Sequence, residues 1–450
     1  MKKDKLLEGS INRSILLIAT PIIFANLLQT VYQLIDTFWV GRLGTEAVAA
    51  VSLSFPIIFL LHSLAMGFTV AGAILVAQYN GRKDYSKVSL ITGQTLGFIL
   101  ILAPLISVIG FLISHPIISF LTDDPMVFEQ AVSYLQISFL CVLPIFIYMV
   151  FQSVLRGVGE VRLPMIIISV TVLLNFFLDP LLMQGWGPIP AMGVKGVAFA
   201  TLITESLSAL IGLIVLFSGK FHIHLKWQNL LIRKEWIQKL AKLGLPSSLE
   251  MSSRSLGMVI MVILISTFGT LIVAAYGIGT RILSFVIIPG MGFSMSTSTL
   301  VGNNLGAKQK ERSLEIVRTG MKISFLTLTV SGLLIFLFAT QITTFLAPGE
   351  TELIRMSSFF IRIMALAFGF IGIQMVVNGA LKAAGQTIIS MFLAMTHMII
   401  IIILAYLFSI TLNMGSTGLW LAYPIAMTFS LFLALFFYFK KDWLHKSLLD

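Results

Sequence analysis

A single cysteine, Cys141, occurs in 450 residues, so the chain can close no internal disulfide and offers no cysteine pair to a metal. Charge is scarce too. Only 11% of residues are Asp, Glu, Lys or Arg, against about 25% in ordinary globular proteins. No G-x-x-x-x-G-K-[ST] loop is present to cradle ATP phosphates, and no H-E-x-x-H pair to hold zinc. The tail MKKDKLLEGS lacks the apolar core and small-residue site of a cleavable leader. Apolar residues, by contrast, make up 57% of the chain. Water-soluble folds cannot hide that much apolar surface, so the natural solvent is lipid. A disordered chain, a disulfide scaffold, a coiled coil and a plain soluble enzyme are excluded.

The net charge of +11 does not indicate nucleic acid. A nucleic-acid binder concentrates its basic residues in a patch, whereas these sit in short loops between apolar runs, so no nucleic-acid partner is expected. A helix crosses a bilayer in about 20 apolar residues. Residues 47–81, 88–122, 130–155, 255–280, 282–307, 323–349 and 383–439 contain no charged residue. Barrel strands would instead alternate apolar and polar over about ten residues. With runs interrupted by one charge included, the sequence predicts an all-α membrane protein of twelve spans. They cover 14–40, 47–79, 88–114, 128–155, 163–184, 196–218, 237–266, 271–304, 314–341, 354–381, 388–411 and 417–439, with a turn at Asn413–Gly418.

Orientation follows from the loops. The tails, the loops after even-numbered spans and the adjoining span ends hold 22 of the 30 basic residues. The opposite loops hold Arg42, Lys195 and Arg355, together with Asp123, Asp124, Glu350 and Glu352. By the positive-inside rule both termini are expected in the cytoplasm of a multi-pass cell-membrane protein.

The chain also repeats itself. Pro21, Gly44-Thr45, Met66-Gly67-Phe68 and Lys83 recur 225 residues later as Pro246, Gly269-Thr270, Met291-Gly292-Phe293 and Lys308. Leu155-Arg156 and Gly159 recur at an offset of 226 as Leu381-Lys382 and Gly385. Each half holds six spans, an even number, so both insert the same way and are related by an axis along the membrane normal, with a substrate site between them. The expected organisation is an N-lobe over 1–218, a cytoplasmic linker over 219–236 and a C-lobe over 237–450: two pseudo-symmetric six-helix bundles that rock against each other.

Without an ATP site, such a carrier would draw on an ion gradient, and ionisable groups inside spans become the candidates. Asp36 lies toward the outer end of the first span, with Tyr32 one turn before it. It could exchange protons or hold Na⁺, or simply cap the span. Asn175 and Asp179 are spaced i, i+4, so both face one direction, and Pro180 should loosen nearby carbonyls. Oxygen donors of that kind suit a small hard cation. The alternative is a polar span end. Thr201 could add a hydroxyl, though membrane threonines often bond their own helix. Glu205 could be a second proton site or pair within the lobe. Glu250 and Arg254 have the i, i+4 order of an internal ion pair, with substrate contact as the alternative. The positions equivalent to Asp36 and Asp179 are Met261 and Ala405, so the acids gather in the first half. Pro21 is a candidate kink and hinge.

These residues together resemble the multidrug and toxic compound extrusion (MATE) family. The likeness is carried by Ala19-x-Pro21-x4-Asn26 leading to Asp36 and Val40-Gly41, and by Val76-Ala77-Gln78 with its partner Val301-Gly302-Asn303. Leu155-Arg156-Gly157-x-Gly159 and Asn175-x3-Asp179-Pro180 add to it. The resemblance implies twelve helices in two bundles forming a V, and export of small organic, often cationic compounds against H⁺ or Na⁺. It implies no cofactor, no enzyme activity, membrane lipid as surroundings and a monomer. It places the cation site at Asp36, Asn175, Asp179 and Thr201, with Gln29 and Tyr32 nearby. Glu250 matches a carboxylate of a related branch. A lipid-linked oligosaccharide flippase of the same superfamily, or a multi-span membrane enzyme, would be the rival readings.

Overall fold

The computed structural model describes residues 4–444 and 448. The expected terminal cations Lys2, Lys3 and Lys446 lie outside them. Twelve helical spans follow one another: α1 (Ile11–Gly41), α2 (Thr45–Gly81), α3 (Tyr85–Leu121), α4 (Pro125–Gly157), α5 (Arg162–Gln184) and α6 (Val194–Phe217) in the first half. The second half holds α7 (Lys234–Ser266), α8 (Thr270–Gly306), α9 (Lys310–Leu346), α10a (Thr351–Ala365) with α10b (Phe368–Ala383), α11 (Thr387–Tyr406) and α12 (Gly415–Phe439). Among the described residues no strand forms beyond an isolated bridge between Trp186 and Ile189. The helices end where polar residues begin. Asp84 caps α3 by accepting from the Lys87 amide, and Asp124 caps α4 by accepting from Met126 and Val127. Large apolar side chains such as Phe120 (89% exposed) and Phe345 (85%) point outward, an arrangement that only lipid makes favourable.

Two departures refine the expected spans. The tenth is broken: α10a and α10b meet at a 51° bend after Ala365, although no proline lies there. The eleventh ends in a π-turn over Leu407–Thr411, so the connection is shorter than Asn413–Gly418, and α12 already starts at Gly415.

The repeat is visible in the backbone. Gly44 and Gly269, ahead of α2 and α8, have φ of 115° and 96°, which glycine adopts without a Cβ penalty. Lys83 and Lys308, after the same two helices, have φ of 65° and 62°, a conformation uncommon outside glycine.

Packing divides the chain into two units, Phe24–Ser248 and the remainder. Each boundary falls two residues after a helix proline, Pro21 in α1 and Pro246 in α7. This differs from the division at the linker expected from sequence. The start of the chain is bonded into the unit of the second half: Ser296 Oγ donates to the Ile15 carbonyl (2.9 Å) and Asn304 Nδ2 to that of Leu6 (3.0 Å). Conversely, the start of α7 belongs with the first half, where Trp236 packs on Tyr79.

The linker, also in the unit of the first half, is not a loose tether. Gln94 on α3 donates to the carbonyls of Asn229 (2.8 Å) and Leu231 (2.7 Å) and accepts from the Arg233 amide (2.7 Å). Gly93 and Gly97 let the strap approach, because a Cβ at either would collide with the backbone of Asn229 or Leu230.

Candidate functional site

Helices α1, α5 and α6 bring the candidate residues of the first half together. Asp36 on α1 lies beside the Asp179 carboxyl of α5 and the Thr201 hydroxyl of α6. Asn175 and Asp179 are fully buried on one face of α5, and Asn175 Nδ2 donates to Asp179 Oδ1 (3.1 Å). That bond orients the amide so that its oxygen is left over. Asn175 Oδ1, Asp179 Oδ2 and Asp36 Oδ1 are all buried without a hydrogen-bond partner. Buried polar atoms are satisfied in the great majority of cases, so three orphaned oxygens in one cluster are an exception that sets this place apart.

Hydroxyl groups and one further carboxyl surround the cluster. Tyr32 Oη and Thr204 Oγ1 lie 2.8 Å apart and bridge α1 to α6. Thr201 bonds its own helix through the Val197 carbonyl (3.2 Å) and still reaches Asp36. Glu205, half-buried, lies near enough to act electrostatically on both Tyr32 and Asp36. Tyr134 on α4 faces Asp36 and Asp179. Among the described residues no cation forms an ion pair with Asp36, Asp179 or Glu205. Gln29 is exposed on α1. Pro21 is buried within an unbroken α1.

Glu250 lies in the other unit and is 1% exposed. Arg254 Nη2 donates to its Oε1 (3.1 Å), as the i, i+4 spacing predicts. Lys382, at the end of α10b, donates to the same oxygen (3.0 Å) and lies 2.8 Å from Oε2. One carboxylate thus faces two cations.

Among the described residues no group of three or more His, Cys, Asp or Glu side chains is placed to hold a metal ion. A small cation in the first cluster would be held by two carboxylates, an amide oxygen and a hydroxyl. That donor set is the hard-oxygen kind.

A single family model, MatE, matches residues 21–181 and then, a second time, residues 246–407. The chain belongs to the MatE family. The two matches begin at Pro21 and Pro246, the equivalent prolines of the repeat. Family members are transporters, not enzymes. The chain is similar to the probable multidrug resistance protein YoeA of Bacillus subtilis, 28% identical over 99% of this chain and 96% of that one. It is also similar to an FAD transporter of Shewanella oneidensis, 27% identical over 94% of each. Among solved structures, a MATE in complex with MaL6 superimposes with a TM-score of 0.92 over 99% of this chain and 100% of that one, at 24% identity. An outward-facing multidrug resistance MATE transporter gives 0.91, over 99% of each chain, also at 24% identity. At that identity the likeness carries the twelve-helix MatE fold.

Two partners in this MatE chain escaped the sequence reading. Thr204 had a signal: with Thr201 and Glu205 it completes an i, i+3, i+4 face on α6. Lys382 had none, since it meets Glu250 across 132 residues, a distance no helical spacing can reveal.

Proposed function

We propose that this multi-pass membrane transporter is a multidrug efflux carrier that exports small organic, often cationic compounds in exchange for H⁺ or Na⁺. It works as a monomer in the cell membrane with both termini in the cytoplasm. One observation carries the coupling: Asp36 Oδ1, Asn175 Oδ1 and Asp179 Oδ2 are buried together without partners. Two carboxylates in low dielectric repel when both are ionised, so they hold a shared proton or a cation strongly. Occupation relieves that repulsion and draws α1 toward α5, while an empty site leaves α1 free to move. Pro21, 15 residues before Asp36 in α1, removes one backbone hydrogen bond and gives that movement a place to bend. Tyr32 and Thr204 keep α1 in register with α6 during the exchange. The names of the similar Bacillus and Thermotoga proteins, both called probable multidrug resistance proteins, support the substrate class.

The test is transport by purified protein in liposomes, with proton and sodium gradients imposed separately and a panel of cationic dyes. One gradient should drive export, and Asp36→Asn should reduce it to background while the protein stays monodisperse. Gradient-driven export surviving in that variant would overturn the proposal.

A further inference from the structure

The cluster around Glu250 has an unbalanced charge that the coupling mechanism does not use. A carboxylate that is 1% exposed meets both Arg254 and Lys382, leaving one positive charge over. The helix α9 that packs on α10b carries Glu311 and Glu315, but both are exposed and, among the described residues, neither forms an ion pair with Lys382. No acidic residue occurs in α8, α10b, α11 or α12. Arg254 is also under-used. Of its five N–H donors, one Nη2 hydrogen goes to Glu250. Its Nε is buried without a hydrogen-bond partner, although the side chain as a whole is 41% exposed. An uncompensated charge beside an unpaired, buried donor costs free energy unless something occupies it. The Nε edge of a guanidinium is shaped for a planar, two-oxygen acceptor.

We propose that Arg254 and Lys382 form a subsite for the carboxylate of an organic substrate, with Glu250 as the built-in counterion it competes against. The inference rests on reading the chain as an efflux carrier. It extends the substrate class to molecules that carry a carboxylate beside an apolar or cationic body. A bound carboxylate takes the free Nε edge of Arg254 and shares Lys382 with Glu250, which brings the cluster to neutrality. Glu250 holds both cations in place when no substrate is there.

The test compares one pair of probes: a rhodamine with a free carboxylate, and its ethyl ester. Binding to the detergent-purified protein is followed by fluorescence polarisation without any gradient. A charge-assisted hydrogen bond discriminates by roughly tenfold or more in affinity, so the native protein should bind the acid about tenfold more tightly than the ester. Arg254→Gln should bring that ratio to about one, and Arg254→Lys should leave it between the two. Glu250→Gln removes the competitor and should raise the ratio. Equal binding of acid and ester by the native protein would overturn the inference and needs no variant to read. So would a ratio that Arg254→Gln leaves intact, or displacement of the acid by phosphatidylglycerol but not by benzoate, which would assign the site to lipid. Because no gradient is used, a failure of ion coupling leaves this ratio untouched, and a ratio of one in a protein that exports dyes refutes the subsite alone.

Discussion

The two halves repeat one scaffold and put opposite charge on it. The first half holds Asp36 and Asp179 with, among the described residues, no cation in ion-pair contact. At the repeat-equivalent places, offsets of 225 and 226 give Met261 and Ala405. Both are part of one buried apolar cluster, which also holds Ile401, the equivalent of Asn175. The second half instead buries Glu250 between two cations, where the first half has Ala25 for the acid and Gln29 for Arg254. Only the first arrangement has carboxylate oxygens to give to a mobile ion, because in the second they are already taken. The two frames are alike, and they differ in whether the buried carboxylate oxygens are met by cations.

The largest expected effect breaks the first side of that comparison. Replacing Asp179 by Asn keeps the shape and removes one of the two charges. Residues that only orient the ligands of a bound ion are worth about 10–100-fold, and loss of a donor itself should exceed that. Gradient-driven dye export measured in liposomes should therefore fall by more than about a hundredfold. Export at native rates would mean that the orphaned oxygens of α5 take no part.

The next prediction breaks the second side. Lys382→Met leaves Glu250 with Arg254 alone and removes a partner from a buried network. Glu250 stays charge-paired, so the loss is that of a charge-assisted hydrogen bond, about 1.5–3 kcal/mol, and the variant should melt below the native protein in a detergent thermal-shift assay. Lys382→Arg should recover most of the loss. An unchanged melting temperature would show that Glu250 does not need its second cation.

Much of the fold could be read in advance, since charge-free runs and loop cations are local properties. Residues 270–306 needed only Gly269 ahead of them and Lys308 after them to be delimited. The break after Ala365 could not be seen, because neither proline nor a polar run marks it. The candidate site was half legible. Asn175 and Asp179 announced themselves by helical spacing. That Asp36 meets Thr201 across 165 residues depends on how α1, α5 and α6 pack, and here the family likeness supplied what spacing could not. Gln29, which the likeness places nearby, is exposed on α1.

The smallest effect sharpens the comparison. Tyr32→Phe deletes the hydroxyl that Thr204 meets at 2.8 Å, worth about 0.5–1.5 kcal/mol. Thr204 keeps its bonds to the Ala200 and Thr201 carbonyls, so stability should fall only slightly. Export should slow by less than about tenfold, in contrast to the Asp36 and Asp179 variants. A complete loss would promote Tyr32 from helix spacer to ion ligand.

The strap held by Gln94 matters for anyone who would cut the chain in two. A duplicated gene might be expected to separate cleanly at the join, with each product carrying its own six helices. Here the join has been absorbed: residues 229–233 fill hydrogen bonds of α3, and the start of α7 stays with the first product. A split made before Lys220 would strip α3 of that cover and leave the second fragment with an apolar strap and no groove to receive it. A break near Gly269, between α7 and α8, would keep the strap in place. The boundary written in the sequence repeat is therefore not the boundary at which the molecule can be divided.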